Sequence, residues 1–482
     1  MMKVARNVIR SGLFLAIVCA FAHPALAQPA AVAGNEGSEE VRAEGASKER
    51  FNAWFQATWI ESRHGNYSAA YSNLNGSTNS LSRLAERSWT FSASAFLGVR
   101  LWEGGEAYLV PDLISELPFS DLKGLGGAIQ NGELEKSGMA QPTLYHSRAF
   151  IRQTWNLGGS IDRVDSGPMQ LAGGVDSRRI VLSAGNMAVI DVFDKNSYAG
   201  DTRTQFLNMG FLTHAAYDFA ADARGYSDGI ALEYYDGPWA LRGGRFLTPR
   251  QPNQLRLNYQ IGQFYGDQLE LEHRHMVREW PGKVKLLAYR NHEQMGRFDD
   301  AMAAYNANPS VYNAANCQSF SYGSNNASAP DMCWVRTKHI KMGAGVNFEQ
   351  SLPGDIGVFA RALASDGQTE VFSYTSADRS ASFGGVMRGT AWGRAQDAVG
   401  IGYQMSFLSG SHAAYLRSGG IDGFVGDGAL KYSPETVAEI YYSWGVTRNM
   451  WLTADFQHIA NPGYNADRGP VDVYNMRVHV EF

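Results

Sequence analysis

Cysteine and long apolar runs are scarce in this sequence. Among its 482 residues are 3 cysteines, and beyond the first thirty residues no run approaches the ~18 apolar residues that a membrane-spanning helix needs. A polytopic helical membrane protein is therefore excluded. Basic residues do not outnumber acidic ones, at 42 against 47, so nucleic acid is not expected as a partner. A soluble protein and a membrane β-barrel remain.

Glycine and aromatic residues are abundant by contrast. The chain has 52 glycines and 12% aromatic residues. This composition favours strands and turns over the alternating helices and strands of a doubly wound enzyme. We therefore expect an all-β fold.

The first residues have the pattern of a secretory signal. Lys3, Arg6 and Arg10 precede an apolar stretch at residues 13–22, and Ala-Leu-Ala follows at residues 25–27 as an A-x-A cleavage site. This pattern predicts a signal peptide that ends at Ala27, so that the mature chain is exported.

The next part of the mature chain differs in composition from the rest. Residues 28–50 contain no aromatic residue and many charged ones, which indicates a flexible periplasmic segment. The folded barrel domain is expected at residues 51–482.

Segments that alternate between apolar and polar residues recur from there on. In the clearest, Ser88 to Leu101, the odd positions are apolar and most even positions are serine, threonine or arginine. The turn at Glu103-Gly104-Gly105 then reverses the chain, and glycine supplies the positive φ of a tight hairpin. Similar alternation recurs at residues 339–349 and 399–407. One face of each segment suits lipid and the other suits water, as in outer-membrane barrels.

The end of the chain separates a barrel from a secreted β-sandwich, which also alternates. The last apolar face consists of Tyr474, Met476, Val478, Val480 and Phe482. A soluble sandwich has no reason to end on an exposed aromatic residue in mid-strand. The pattern resembles the signal that the barrel-assembly machinery reads. It favours an antiparallel transmembrane β-barrel, in which every backbone group in lipid is paired.

Two cysteines remain in the mature chain. Cys317 and Cys333 lie in a polar segment rich in Asn, Ser, Ala and Tyr. In an oxidising compartment this arrangement predicts a disulfide on a long loop, from His292 to Arg336, with two free thiols as the alternative.

Two motifs have a chemical and a structural interpretation. Gly225 to Gly229 matches the G-x-S-x-G elbow of serine hydrolases, but an alternating strand follows it where the elbow needs a helix. His273 and His275 share a strand face, but a transition-metal site needs a third ligand. We interpret the first as a strand entry and the second as a strand entering the headgroup region. No catalytic residue, metal site or cofactor is expected.

Arginines and carboxylates lie on the polar faces of several segments. Arg148 and Arg152 share one face with His146, opposite Tyr145. Guanidinium and carboxylate groups suit the hydroxyls of a sugar, and Trp102 offers an aromatic face for stacking, although a general porin shows such a wall too. The other residues expected on the lumenal wall are Arg100, Arg179, Arg242 and Arg361, which face Glu106, Asp112, Glu270 and Glu272.

Five segments carry a family resemblance. They are residues 87–98, 101–108, 150–155, 191–208 and 460–465, of which the most specific begins Asp191-Val192-Phe193-Asp194-Lys195-Asn196. Together they resemble the OprB-type carbohydrate-selective porin family over residues 51–482. The resemblance implies a monomeric barrel of sixteen strands, with loops folded inward and a lumen that favours sugars such as glucose.

The resemblance also implies site residues. Near the constriction it places Glu106, Asp112, Arg148 and Arg152. Within an inward-folding segment, Asp191 to Asn208, it places Asp194, Asn196 and Arg203.

The expected function is passive, sugar-preferring diffusion of mono- and oligosaccharides across the outer membrane of a Gram-negative bacterium. The alternatives are a polysaccharide-export barrel and a secreted glycan-binding protein or glycosidase. The expected partners are glucose-like permeants, outer-membrane lipids and the barrel-assembly machinery, which would read the strand ending at Phe482.

Overall fold

The computed structural model describes residues 48–136 and 138–482. The signal peptide expected at residues 1–27 lies outside the described residues, as do residues 28–47 of the expected flexible segment. The first strand begins at Phe51.

Most of the described chain forms strands. In chain order they are β1 (Phe51–His64), β2 (Glu86–Trp102), β3 (Gly105–Leu117), β4 (Thr143–Asn156), β5 (Ile161–Val164), β6 (Gly173–Asp176), β7 (Arg178–Met187), β8 (Ser227–Asp236), β9 (Trp239–Phe246), β10 (Tyr265–Val277), β11 (Trp280–Met295), β12 (Thr337–Leu352), β13 (Ile356–Ser365), β14 (Arg379–Arg388), β15 (Ala398–Phe407), β16 (Glu435–Thr447), β17 (Met450–Ala460) and β18 (Val471–Glu481).

Sixteen of these strands close into one antiparallel barrel. Strands β1 to β4 and β7 to β18 each pair with their neighbours along the chain, and β1 pairs with β18 to complete the ring. Strands β5 and β6 form a separate two-stranded hairpin. Closure leaves no open sheet edge, which is the condition for a sheet to cross a bilayer. The predicted antiparallel β-barrel of sixteen strands is confirmed.

The two ends of the barrel differ in the length of their connections. At one end, two-residue turns join β2 to β3, β8 to β9, β10 to β11 and β16 to β17, and β1 begins there. At the other end lie the long connections, including residues 188–226 and 296–336. Short turns face the periplasm and long loops face outward in bacterial barrels. The long-loop end is therefore the external end.

Burial along β2 shows how alternation sorts residues between lipid and lumen. Ser88, Thr90, Ser92 and Ser94 are at most 2% exposed, whereas Leu101 is 48% exposed. The predicted lipid and lumen faces of this strand are confirmed. The hairpin turn that follows places Gly104 at a φ of 70°, a conformation that glycine adopts without strain.

The outward face carries the apolar and aromatic belts of a membrane barrel. Leu269 and Leu286 are each 55% exposed and Ile401 is 64% exposed. Near the short-turn end the exposed outward-facing aromatic residues include Trp155, Trp239 and Trp444. Tryptophan is enriched at this depth because its ring is apolar while its N–H is polar.

Helical structure is confined to the connections. The helices are α1 (Met209–Leu212), α2 (Phe298–Ala307) and α3 (Gly410–Arg417), with 3-10 turns at Leu74–Gly76, Phe119–Leu122, Val189–Asp191, Ala314–Asn316, Met332–Trp334, Gly389–Trp392 and Pro462–Tyr464. In the described chain, none of the helices is long and apolar enough to span a membrane.

The external loops pack into a cap around one buried histidine. The imidazole of His412, in α3, lies 3.0 Å from the carboxylate of Asp378 and 3.2 Å from that of Asp422. Its ring stacks on Phe298 of α2 at a centroid distance of 4.2 Å. Burial lowers the pKa of His412, but the two carboxylates outweigh burial and raise it to about 9.

The G-x-S-x-G match and the pair His273 and His275 both lie on strands of the barrel wall. Ser227 is the first residue of β8, so the G-x-S-x-G match lies on a strand entry and not on a strand-to-helix turn. The ring of His273 lies 4.2 Å from that of Trp239, tilted by 34°, within the aromatic belt. The loop that carries the cysteines begins later than predicted, because β11 continues to Met295 instead of ending near His292.

Candidate functional site

The connection between β7 and β8, residues 188–226, crosses the lumen and we call it the crossing segment. Its central carboxylate, Asp194, lies 3.1 Å from Arg361 of β13 and 3.2 Å from His214. The backbone N–H of Asp194 donates to Glu270 of β10 at 2.6 Å. Burial raises the pKa of Asp194, but Arg361 and His214 lower it well below its usual range. The segment is thereby bound to the wall opposite its origin.

Further hydrogen bonds hold the crossing segment along its length. The side-chain amide of Asn196 donates to Asn347 of β12 at 2.8 Å. The carboxylate of Glu439, on β16, accepts the backbone N–H groups of Leu207 at 2.5 Å and Asn208 at 3.0 Å. A buried carboxylate that accepts two backbone donors leaves neither donor unsatisfied.

Aromatic packing adds to this attachment. Phe206 lies 5.5 Å from Phe359 of β13 and 5.1 Å from Tyr441 of β16, both edge to face. All three side chains are at most 2% exposed. The segment therefore has an apolar core of its own inside the barrel.

Three of the expected sugar-contacting residues belong to this attachment. Asp194, Asn196 and Glu270 are 3%, 8% and 1% exposed. The crossing segment covers them, so they hold the segment and do not line open lumen. Strand alternation indicates which residues face inward, but it does not indicate which of them a folded-in loop will cover.

A second group of contacts holds the beginning of the crossing segment. Arg148 of β4 donates to Asp191 through Nε and Nη2, at 2.7 and 2.8 Å. Its guanidinium lies 5.1 Å from the centre of the Tyr226 ring. Burial raises the pKa of Asp191, but the charge of Arg148 lowers it by more, so that the pKa of this carboxyl lies below its ordinary value. Asp191 is therefore ionised at neutral pH.

A second arginine reaches the same place from the crossing segment. Arg203 donates to Glu133, in the β3–β4 loop, at 2.7 Å and lies 3.8 Å from Asp112 of β3. We call Asp112, Glu133, Arg148, Asp191, Arg203 and Tyr226 the constriction cluster. The side chains of Arg148, Asp191 and Arg203 keep 15–19% of their surface exposed, which leaves them accessible to a solute in the lumen.

Arginines stack on aromatic rings along the wall toward the periplasm. The guanidinium of Arg152 lies 5.1 Å from the ring centre of Tyr108, and that of Arg179 lies 4.0 Å from Tyr235. Cation–π contacts of this kind hold the guanidinium plane over the ring and keep its edge available for hydrogen bonds. Arg152 and Arg179 thus extend the constriction cluster downward.

Arg100, Glu106 and Trp102 of the expected wall lie at the short-turn end. Arg100 and Glu106 pair at 3.1 Å across β2 and β3. Trp102 does not face the lumen interior: it is 54% exposed at the rim, where its Nε1–H donates to Gln153 at 2.6 Å. A register shift between Arg100 and Trp102 breaks the alternation that predicted a lumenal position.

Strand β4 contains a second departure from alternation. Val110 of β3 opposes Arg148 and the next residue, Pro111, opposes His146, so Ser147 is an extra residue in β4. The bulge turns Tyr145 into the lumen, where its hydroxyl donates to Glu135, and turns His146 outward. The prediction that His146 lies beside Arg148 and that Tyr145 lies opposite was wrong. Proline cannot donate to its partner strand, which is why bulges form opposite it.

Several functional candidates were not predicted. Tyr108 and Tyr235 follow strand alternation and could have been assigned to the lumen by extending the pattern through β3 and β8. Glu133 and Tyr226 lie outside the strands, in connections with no periodicity. Their positions depend on how two loops fold into the barrel, and no local pattern carries that information.

A cavity opens on the periplasmic side of the crossing segment. It has a volume of about 280 Å³ and is lined by Tyr198 and Arg203 of the segment and by Arg388, Trp451 and His479 of the wall. The indole N–H of Trp451 donates to the backbone of Gln396 at 3.2 Å. The lumen therefore continues below Arg203 as a polar chamber with an aromatic wall.

The two cysteines are joined in the external loop. Cys317 and Cys333 form a disulfide with their Cα atoms 6.3 Å apart. The bond closes part of the 296–336 connection, away from the lumenal residues described above.

Comparison with known proteins identifies the barrel. Residues 65–482 match the family model described as carbohydrate-selective porin, OprB family. The structure resembles the high-pH structure of Pseudomonas putida OprB with a TM-score of 0.63 at 15% identity, covering 90% of this chain and 94% of that one. A channel from Acinetobacter baumannii, DcaP, gives a TM-score of 0.45 at 7% identity, covering 90% and 97%. The sequence matches none of the curated proteins with which it was compared.

The family match covers most of the chain, and the sixteen-stranded barrel agrees with it. Both findings favour an outer-membrane sugar porin over a polysaccharide exporter or a secreted glycan-binding protein or glycosidase. The chain belongs to the OprB family of carbohydrate-selective porins.

Proposed function

We propose that the constriction cluster and the arginine–tyrosine wall below it select sugars for passive diffusion into the periplasm. One observation carries the proposal: an arginine is paired with a tyrosine ring at three positions along the lumen. The pairs are Arg148 with Tyr226, Arg152 with Tyr108, and Arg179 with Tyr235.

The chemistry of these pairs suits a pyranose. A tyrosine face offers apolar surface to the C–H face of the ring, and guanidinium and carboxylate edges donate to and accept from its hydroxyls. The cluster contains charges of both signs, which favours neutral polar solutes over an ion of either sign. Glucose-like monosaccharides and short oligosaccharides are the proposed permeants.

We propose no catalysis at this site. Glycoside hydrolysis needs a carboxylic acid that keeps its proton near neutral pH. Asp191 is held ionised by Arg148, and Glu133 is paired with Arg203 at 2.7 Å. Asp191 and Glu133 therefore serve as acceptors for sugar hydroxyls.

Sugar uptake into proteoliposomes tests the proposal. Tyr226→Ala removes one aromatic face, which contributes about 1 kcal/mol, so the glucose concentration for half-maximal uptake should rise about fivefold. Tyr259→Ala is the control, because Tyr259 is 69% exposed in an external loop. Equal uptake by the Tyr226 variant, the control and the unmodified barrel would contradict the assignment.

Assembly and lipid partners complete the proposal. The outward apolar belt requires outer-membrane lipid as its solvent. We propose that the barrel-assembly machinery reads the terminal strand through Phe482. Deleting Phe482 should lower the fraction of heat-modifiable, folded barrel in the outer membrane, and unchanged insertion of the shortened chain would contradict this role.

A further inference from the structure

Two outward-facing charge clusters lie at the external ends of the strands. In the first, Glu61 of β1 accepts from Arg63 at 2.6 Å and from Arg87 of β2 at 2.7 Å. In the second, Asp267 of β10 accepts from Arg245 of β9 at 2.7 Å and from Arg290 of β11 at 2.7 Å. We call these the Glu61 triad and the Asp267 triad. Each holds two arginines on one carboxylate.

Stability alone does not account for this arrangement. Arg63 lies directly opposite Arg87 in the β1–β2 register, and like charges in that position repel. Asp267 lies directly opposite both Arg245 and Arg290. One carboxylate balances one guanidinium, so each triad keeps an excess of one positive charge.

The arginines also retain unused donors. In the Glu61 triad the side chains of Arg63 and Arg87 are 67% and 52% exposed. In the Asp267 triad those of Arg245 and Arg290 are 43% and 46% exposed. Within residues 48–136 and 138–482, the Nη1 groups of these four arginines donate no hydrogen bond. The carboxylate holds each guanidinium through Nη2 and leaves Nη1 for another acceptor.

The depth of the triads in the membrane follows from their neighbours. Trp59 and Trp89 stack at 5.2 Å on the outward face, one outward position below Glu61 and Arg87. Leu269, 55% exposed, is the next outward residue below Asp267. Aromatic residues mark the interface of a barrel with the headgroup region. The triads therefore lie at the headgroup level of the outer leaflet.

We propose that the Glu61 and Asp267 triads bind the phosphate groups of outer-leaflet lipids. Arginine forks match phosphate oxygens in bidentate hydrogen bonds, and basic pockets at the membrane surface bind anionic headgroups. The two triads lie on different parts of the barrel wall, on β1–β2 and on β9–β11. Each takes one phosphate and fixes a lipid against the belt.

Binding of a diphosphorylated glycolipid to the purified, detergent-solubilised barrel tests this inference. Arg63→Gln with Arg87→Gln, and separately Arg245→Gln with Arg290→Gln, should each weaken the affinity of one class of sites by about tenfold, as expected for the loss of charge-assisted hydrogen bonds. Arg163→Gln is the matched control, because Arg163 is 84% exposed on the β5–β6 hairpin. It should bind as the unmodified barrel does.

Four further measurements make the result decisive. The same lipid without phosphate should bind the unmodified barrel weakly, and inorganic phosphate should compete only at far higher concentration. Heat-modifiability verifies that each variant is folded, and Arg→Lys pairs, which keep the charge without the fork, should recover part of the affinity. The inference is overturned if the folded Gln variants bind the lipid normally, if the dephosphorylated lipid binds equally well, or if inorganic phosphate alone saturates the sites.

Discussion

Arg148 of β4 and Asp191 of the crossing segment form a two-point pair, with hydrogen bonds of 2.7 and 2.8 Å. The pair joins the barrel wall to the crossing segment and holds that segment against β4.

Replacing Arg148 and Arg152 together with alanine should change both sugar binding and ion selectivity. Each sugar contact is worth about 1 kcal/mol net, so sugar affinity should fall several-fold. The loss of two positive charges should shift selectivity toward cations, and high salt should screen the shift over ~10 Å at 0.1 M. Reversal potentials and sugar block of ion current measure the two effects.

The control for this variant is Arg163→Ala, which removes an arginine whose side chain is 84% exposed. It should leave selectivity unchanged. If the double variant also keeps its selectivity and its sugar block, Arg148 and Arg152 do not form the selective surface.

Asp194→Asn should loosen the crossing segment without unfolding the barrel. The substitution leaves the buried charge of Arg361 without its carboxylate partner, and breaking a buried pair costs ~3–5 kcal/mol. The strands keep their own hydrogen bonds, so we expect a folded barrel with larger single-channel conductance and weaker sugar block. Asp165→Asn, at an exposed carboxylate, is the control. Unchanged conductance in the Asp194 variant would show that the segment is held without this pair.

The packing of the external loops should depend on pH through His412. Its folded pKa of about 9 exceeds the unfolded value of 6.5, so protonation stabilises the packed loops fully below pH 6.5. This contribution, of the order of 3 kcal/mol, is lost as the pH rises through 9. Limited proteolysis should cut the loops faster at pH 10 than at pH 7.

His412→Gln should remove most of that pH dependence, because no imidazole then titrates between Asp378 and Asp422. His458→Gln is the control, since His458 is exposed and pairs with Asp472, itself an exposed residue of β18. Loops that resist protease equally at both pH values in the unmodified barrel would contradict the role of His412.

Reduction should affect the external loop but not the barrel. The disulfide between Cys317 and Cys333 closes a loop of about 15 residues, for which the chain-entropy model gives ~3 kcal/mol. A non-reduced digest should contain one linked peptide pair, and reduction should raise proteolysis within residues 296–336 while heat-modifiability persists. Two free thiols in the digest would rule out the bond.

Strand positions could be predicted from the sequence because each barrel strand must present one apolar and one polar face. The faces of β2, β12, β15 and β18 all follow this rule. Single-residue insertions broke this rule in β4 and at the end of β2. Ser147 turned Tyr145 inward, and the shift before Trp102 moved that ring to the rim. Pro111, in the facing strand β3, is a local sign in the sequence of the insertion at Ser147.

The lumenal site could be predicted less well from strand alternation. Asp194 and Glu270 were expected to face sugar, but the crossing segment covers both. Glu133 and Tyr226 enter the constriction from loops whose folding depends on contacts far away in the chain, such as Glu439 with Leu207. Periodicity describes one strand at a time, whereas burial in a lumen depends on all the strands together.

We propose that this barrel passes sugars through a constriction that binds them. Single channels of the unmodified barrel in a planar bilayer, titrated with glucose, test it most directly. We expect a steady ion current that glucose reduces in a saturable manner, with half-reduction at a higher glucose concentration in the Arg148→Ala, Arg152→Ala variant. A current that glucose leaves unchanged up to saturating concentrations would contradict it.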